Sequence, residues 1–556
     1  MAKSKELHNR VLDVEAIGKY IERLRKERGW TRRQLVAEVR GVFDEKSIDD
    51  WERRGILPNQ ESLISLADVF NITIDDLLEG GKEITNEKLL FFWLFLEEYN
   101  IKLYNEIEKK VAINQKGDFM IERTKYLNQL INTKNNGFPK IITGIRRCGK
   151  SYLLKDIYTK YLKEECCVSD ENILAVELDD DKNIELRNPI ALGKYVREHC
   201  KGKIDCYVIL DEIQKVLPII NPAFTNGQII LAKDGDENVI TFVDVVLGLS
   251  REPNIDLYVT GSNSKMLSSD IVTEFRDKAT RIHLSPLSFE EYANYKKGYA
   301  PEMINEYMTY GGMPLAVLEE NEEERKNYLK GLFKTTYFSD ILEHNKLNKS
   351  EALDELCDII SDSVGGLINS ERISNTYQSI KKETIDKDTV TKYINYFVDA
   401  FIIQEATRYD VKGRNEIGAS RKYYFTDLGL RNARLNFSKP DEGHMLENII
   451  FNELLYNGYS VNVGTYERVE RNKDNKNVKK TYEIDFLATK GNRIFYVQVA
   501  DDISKNETLE REKKPYSHLK DPIQKILVVN KPFKEMRDPE GYVLIGIADF
   551  LLNFIK

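Results

Sequence analysis

Thirteen residues, "ITGIRRCGKSYLL" (142–154), hold the most legible chemistry in the chain. Gly144-Ile145-Arg146-Arg147-Cys148-Gly149-Lys150-Ser151, followed by Tyr152, has the spacing GxxxxGK[ST]. The glycines let the backbone curl so that its N–H groups point inward, and a following helix adds positive potential at its N-terminus. Lys150 is placed to bridge the β and γ phosphates of a nucleotide, and the Ser151 hydroxyl to hold Mg²⁺. "CYVILDEIQKV" (206–216) supplies the complementary charge, because an apolar strand that ends in Asp211-Glu212 is costly unless a metal is near. Asp211 suits Mg²⁺ through a water, and Glu212 suits the base that activates an attacking water. "IDLYVTGSNSKML" (255–267) ends in Ser262-Asn263, with Asn263 suited to sensing the γ-phosphate. Cys148, beside Arg147 and near a helix N-terminus, is expected to be a reactive thiolate that nucleotide protects.

These residues need elements to position them. Lys140-Ile141-Ile142-Thr143 reads as a strand entering the loop, and "YLLKDIYTKYL" has a helical period. The blocks "GIRRCGKS", "LDEIQ", "TGSNSKMLSSDI", "TEFRDKATRIHLSPLSFEEY" and "YGGMP" then occur in an order that resembles a large prokaryotic AAA-type ATPase family. The similarity runs from about Arg123 to the C-terminus. It implies ATP and Mg²⁺ as cofactors, a C-terminal winged helix and a restriction-endonuclease-like domain. By the same pattern Arg276 looks like the arginine that reaches a neighbouring subunit's γ-phosphate, which implies a homo-oligomer. The related string usually has a second arginine two residues on, where this chain has Lys278.

Upstream, Ile17, Ile21 and Leu24 share one helical stripe, Gly29 breaks it, and Thr31 stands as the N-cap of a helix with Leu35, Val36 and Val39. With Trp51-Glu52-Arg53, Pro58, Leu63, Leu66-Ala67 and Asp76-Leu77-Leu78, most of 15–80 resembles the Cro/phage-repressor (xenobiotic-response-element) helix-turn-helix. The resemblance implies that the helix near 45–53 enters the major groove of DNA, making Lys46, Arg53 and Arg54 candidate contacts. Lys19–Arg54 carries eleven Lys/Arg against eight Asp/Glu. Asp49 and Asp50 oppose that reading, since carboxylates on a reading helix repel phosphates, and a protein-docking module is the alternative. Residues 81–120 read as an amphipathic connecting helix.

In the C-terminal half, residues 296–345 are helical in pattern and form the expected lid. "ERISNTYQSIKKETIDKDTVTKYINYFVDAFIIQEATRYD…RKYYFTDLGLR" gives helix, turn, helix and two short strands. Asp386 or Asp388 caps the second helix, whose stripe is Val390, Ile394 and Phe397. This resembles a winged helix over 346–435, with Lys381, Lys382, Lys387 and Lys392 available to DNA phosphates. "GHMLENIIFNELLYNGYSVNVGTYE…TYEIDFLATKGNRIFYVQVA" resembles a PD-(D/E)xK nuclease core over 436–556. Glu447 and Asp485 match its first two acidic positions, but the usual Glu-x-Lys is Gln498-Val499-Ala500, which removes one charge and the lysine. Lys505 or Arg511 could substitute for the lysine. Cutting is not expected, because losing even one preorganised electrostatic partner typically costs about 10²–10³ in rate.

The whole is therefore expected to be multidomain: an all-α helix-turn-helix (1–80), the connecting helix (81–120), an α/β P-loop AAA-type ATPase core (121–295) with its helical lid, a winged helix, and an α/β restriction-endonuclease-like domain that is degenerate. At 556 residues the chain is too long for one core. A net charge of −9 excludes coating nucleic acid by bulk charge. Six cysteines without a CxxC pair read as reduced thiols rather than a disulfide or zinc framework, and the longest apolar run, "LLFFWLFL", is too short to cross a bilayer. The expectation is a cytoplasmic, oligomeric ATPase acting with DNA, by analogy in mobile-element control or phage defence. A nucleotide-gated DNA-binding regulator and an ATP-dependent nuclease stand as alternatives.

Overall fold

The computed structural model describes residues 14–39, 43–54, 56, 58, 60–70, 72, 121–233, 235–261, 275, 278–297, 300–338, 341–342, 347, 351–380, 385–438, 441–471, 477–503 and 506–556. The chain divides into two compact units, Met1–Gly117 and Asp118–Lys556. The connecting helix expected over 81–120, Asn263, Arg276, Lys381, Lys382 and Lys505 lie outside the described residues.

The first unit is a helical cluster: α1 (Val14–Glu27), α2 (Arg32–Glu38), α3 (Glu45–Arg54) and α4 (Gln60–Phe70). Thr31 caps α2 in a reciprocal box with Gln34, satisfying two otherwise orphaned N–H groups. Ile17, Ile21, Leu35, Ile48, Trp51 and Leu66 form the core. Glu52 is buried with them, and its carboxylate takes both Nε (2.6 Å) and Nη2 (2.9 Å) of Arg25 and Nε of Arg32 (2.9 Å). Its place in the Trp51-Glu52-Arg53 step is thus structural. A buried charge persists only when paired in this way.

The second unit begins with α5 (Thr124–Thr133) and a five-stranded parallel sheet. Its strands are β1 (Lys140–Thr143), β2 (Ile173–Glu177), β3 (Cys206–Asp211), β7 (Ile255–Thr260) and β8 (Thr280–His283), in the order β2-β3-β7-β1-β8. β1 and β3 are buried along their whole length, the apolar run expected of a sheet covered on both faces. Between β3 and β7 the short strands β4 (Ile219–Ile220), β5 (Ile230–Leu231) and β6 (Val239–Ile240) make a separate three-stranded sheet. Contrary to the reduced-thiol expectation, Cys200 and Cys206 are disulfide-bonded. The helix Pro189–Cys200 ends and β3 begins six residues later, so the turn brings the two Cα atoms to 5.8 Å, a spacing that sequence motifs for cysteine pairs do not flag.

Helices Ala300–Tyr310, Pro314–Leu318 and Glu322–Gly331 follow in the segment read as the lid. Helices Ser370–Ile380 and Lys387–Asp399 come next. Asp386, not Asp388, caps the latter through the Thr389 N–H (2.8 Å), and Val390, Ile394 and Phe397 are buried on its inner stripe. The two strands expected to be short are instead long, β10 (Ile403–Asp410) and β11 (Asn415–Phe425), and β10 pairs in parallel with β12 (Ser460–Arg471). With β9 (Leu367–Ile368), β13 (Asn477–Lys490), β14 (Arg493–Ala500), β15 (Gln524–Val529), β16 (Met536–Arg537) and β17 (Val543–Gly546) they form one nine-stranded sheet, β16-β17-β15-β14-β13-β12-β10-β11-β9. The hairpin is therefore an integral part of the C-terminal sheet, one place in from the short edge strand β9. One continuous core runs from Tyr126 in α5 through Met308, Phe397 and Phe451 to Phe550.

Candidate nucleotide site

β1 delivers the chain into the 144–149 loop, where Gly144 (φ 144°) and Gly149 (φ 99°) adopt backbone conformations that L side chains rarely take. At Gly144 a Cβ would also stand 2.1 Å from the Leu284 carbonyl oxygen, so close approach as well as torsion demands glycine. The chain then enters helix at Lys150–Tyr152, continues in a wider winding over Leu153–Tyr158, and resumes at Thr159–Glu164. The Lys150 ammonium is buried and donates to the carbonyls of Gly144 (3.0 Å) and Ile145 (3.1 Å). These are neutral acceptors that a phosphate oxygen outcompetes.

Thr143 at the strand end faces His283 of β8 (3.3 Å), a residue that keeps an exposed edge while the protein packed around its ring, with Lys150 adding to the shift, lowers its pKa to about 4. That imidazole is neutral at pH 7. From α5's leading edge, Arg123 donates to the Cys148 (3.5 Å) and Ser285 (2.6 Å) carbonyls and pairs with Glu291 (3.1 Å), bracing the loop from below.

Asp211 is nearly fully buried at the tip of β3. Burial alone raises its carboxyl, but the Lys155 ammonium (2.8 Å) and hydrogen bonds from Thr260 and Ser151 outweigh it and hold the pKa below the ordinary range. Ser151 and Asp211 are thus brought together, the pairing of hydroxyl and carboxylate that a nucleotide-bound Mg²⁺ requires. Glu212 follows at φ 55°, a left-handed conformation costly for a residue with a Cβ. Its N–H donates to Thr260 Oγ1 (3.0 Å), and its carboxylate accepts from Gln214. Lys155, Thr260 and Arg123 were not singled out from sequence, since a lysine in a helix or a threonine at a strand end carries no local signature.

The reactive-thiolate expectation for Cys148 is overturned. Its side chain is 0% exposed and its Sγ donates to the Leu284 carbonyl (3.4 Å). Burial pushes the thiol's pKa up against the pull of Lys150 and Arg123. Desolvation wins even though the Cys148 and Lys150 backbone N–H groups also pull the thiol's pKa down.

The "YGGMP" turn, in the segment read as the lid, lies against the loop. Pro314 Cγ lies 3.9 Å from where a Cβ on Gly149 would stand. Asp427, buried at the N-terminus of the helix Leu428–Arg434, accepts the Gly312 (2.6 Å) and Leu430 (3.1 Å) N–H groups, with Gly429 and Met313 adding to them. Burial pushes its pKa up to about 6 against those four donors. Asp427 was missed from sequence because an aspartate before a helix reads only as a cap.

On α3, Asp49 pairs with Arg32 (2.6 Å) and Arg53 (3.4 Å), and Asp50 with Arg54 (2.9 Å). The carboxylates that opposed a reading helix are neutralised within the unit. Lys46, Arg53 and Arg54 are exposed, as are Lys387 and Lys392 in the second unit.

In the C-terminal sheet Glu447 comes from the helix Glu442–Tyr456, Asp485 from β13 and Gln498 from β14. Asp485 accepts the Val499 N–H (2.8 Å), and burial, then the neighbouring Glu447, pushes its carboxyl well above the ordinary range. Gln498 donates to Glu512 (3.2 Å), whose other oxygen takes Arg511 (3.0 Å). The lysine beside Glu447 is Lys422 of β11, a residue the sequence reading did not single out because it lies in the hairpin, far from the nuclease-like string.

Comparison with known proteins defines the class first. Residues 136–293 match the model of an AAA domain, residues 21–77 that of a helix-turn-helix, and residues 301–441 that of a domain of unknown function (DUF8612). The last spans the lid and the segment read as a winged helix as one piece. An uncharacterized protein of Haemophilus influenzae is 31% identical over 440 residues, 78% of this chain and 99% of that protein, and the chain belongs to its family. An uncharacterized protein of Methanocaldococcus jannaschii is 27% identical over 68% of this chain and 77% of its own length. Among solved structures, the Aeropyrum pernix ORC2 protein aligns over 56% of this chain and 91% of its own at 12% identity, with a TM-score of 0.31, too low to carry any argument. The chain is thus multidomain, with a helix-turn-helix and a parallel-sheet α/β AAA domain. Among the described residues no helix is long and apolar enough to cross a membrane.

Proposed function

We propose that this protein is an oligomeric ATPase that acts with DNA. The observation that carries the reading is the meeting of Ser151 and Asp211, which joins the phosphate loop to the carboxylate strand with Lys150 and Glu212 alongside. When bound, Mg²⁺ supplies charge neutralisation across the β and γ phosphates. Lys150 leaves the Gly144 and Ile145 carbonyls to meet the phosphates, and the loop N–H groups bind their oxygens. Ser151 and Asp211 are the residues that would hold Mg²⁺. Glu212, held at the strand tip by Thr260 and Gln214, orients and deprotonates the attacking water. Asn263 senses the γ-phosphate, and Arg276 reaches a neighbour's site, roles that rest on the sequence resemblance.

The DNA arm of the reading is supported by the helix-turn-helix match and by an α3 whose Asp49, Asp50 and Glu52 are internally paired while Lys46 remains exposed. The nuclease alternative is disfavoured by the absent glutamate and lysine at 498 and 500.

The test is steady-state hydrolysis by purified protein with Mg²⁺. Lys150→Ala should lose nucleotide binding and turnover together. Glu212→Gln should keep binding yet lose turnover by about 10²-fold or more, the range of a general base. Wild-type-like turnover in either variant removes the assignment.

A further inference from the structure

The nuclease-like centre contains a cation of its own. Lys422 is 4% exposed, and its ammonium lies 2.8 Å from Glu483 Oε1 and 3.4 Å from Glu447 Oε2. Glu447 Oε2 also accepts the Tyr424 hydroxyl (3.1 Å), one turn of pleat away on the same strand. One Asp485 oxygen accepts the Val499 N–H, and the Gln498 amide nitrogen donates to Glu512, which leaves the Gln498 Oε1 buried without a hydrogen-bond partner. Among the described residues no three His, Cys, Asp or Glu side chains are arranged to hold a metal ion. The donor set of a divalent site is therefore not assembled, although two of its residues are in place.

Lys422 cannot step aside cheaply. It sits in β11 opposite Ala406 of β10 and Leu367 of β9, so both neighbouring strands fix its backbone. A buried ammonium survives only with such partners, and its carboxylates in turn need it. A divalent ion entering here meets a like charge in a site of low dielectric constant.

We propose that Lys422 is the resident cation of this centre: its ammonium stands where a divalent ion would, ties the β10–β11 hairpin to the helix Glu442–Tyr456, and makes the C-terminal domain metal-free. The lysine lost at 500 is thus replaced by a lysine that fills the site and does not serve phosphate chemistry. This inference is independent of the ATPase reading, because its test uses nucleotide-free protein.

Mn²⁺ binding to the full chain, followed by the spectrum of the free ion, is the measurement. Wild type and the charge-retaining Lys422→Arg should show no site that depends on Asp485. Lys422→Met should gain one site, tightened by about 100-fold or more over wild type, because a like-charge juxtaposition costing several kcal/mol has gone. The double variant Lys422→Met with Asp485→Asn should lose it again. If Lys422→Met alone folds poorly, Mn²⁺ should raise its melting temperature through Asp485 while leaving that of wild type unchanged. Two results overturn the proposal: an Asp485-dependent Mn²⁺ site in wild type, or no gain of binding or thermal rescue in Lys422→Met.

Discussion

Glu453 shows how a residue's surroundings override its type. It lies fully within the core on the helix Glu442–Tyr456 and accepts the Phe289 N–H at 2.6 Å. Burial pushes its pKa up to about 8, with Glu291 and Glu290 adding to the rise and Lys125 opposing it. Lys125 is itself lowered to about 8 by burial, so it sheds its charge over the same range in which Glu453 gains one. The folded state holds the Glu453 proton more tightly than the unfolded chain does, so this contribution to stability is full below about pH 4.5 and is lost as pH rises to about 8. Glu453→Gln keeps an acceptor for Phe289 and never ionises. The stability difference between variant and wild type should therefore move in the variant's favour by roughly 2–4 kcal/mol between pH 5 and 8, then stay flat. Urea denaturation at several pH values measures it, and parallel profiles would sink the idea. The strand, loop and helix around Lys150 and the strand ending in Asp211 were legible from sequence because their pattern is local. Cys148 was misread because the face of a loop on which a side chain lies depends on strands distant in sequence, here Leu284.

Among the elements, the helix capped by Asp386 or Asp388, the strand into the loop and the N-cap at Thr31 followed from local pattern, whereas the box that Gln34 closes with Thr31 came only with the fold. What did not follow were the joints. Gly311 (φ 70°) and Gly312 read only as a turn, yet a Cβ on Gly312 would meet the Leu287 carbonyl oxygen at 2.2 Å and one on Gly311 would strike Asp427. The turn is compressed between the ATPase core and a carboxylate more than a hundred residues downstream. That carboxylate gathers four backbone N–H groups, and Pro314 of the same turn stands against the phosphate loop. Asp427→Asn puts amide hydrogens against those donors and should cost about 2–3 kcal/mol, more than a typical single hydrogen bond. Chemical denaturation reads the stability and steady-state kinetics the turnover, and both should fall together. A variant as stable and active as wild type would show that the joint is incidental.

Across the whole molecule, the order of the segments was readable but their merging was not. The hairpin read as a wing pairs into the C-terminal sheet, and one core runs through lid, hairpin and sheet, because β10 finds its parallel partner β12 only in the folded chain. Conformational change at the phosphate loop therefore has a packed route, through Pro314 and Asp427, into the C-terminal sheet. The central claim is that hydrolysis is coupled to DNA. ATP turnover by the full chain, with and without duplex DNA at low and high salt, tests it most directly. The account predicts turnover that rises with DNA, a rise that weakens at high salt as phosphate contacts are screened, and none in Glu212→Gln. Turnover indifferent to DNA at every salt concentration would contradict it.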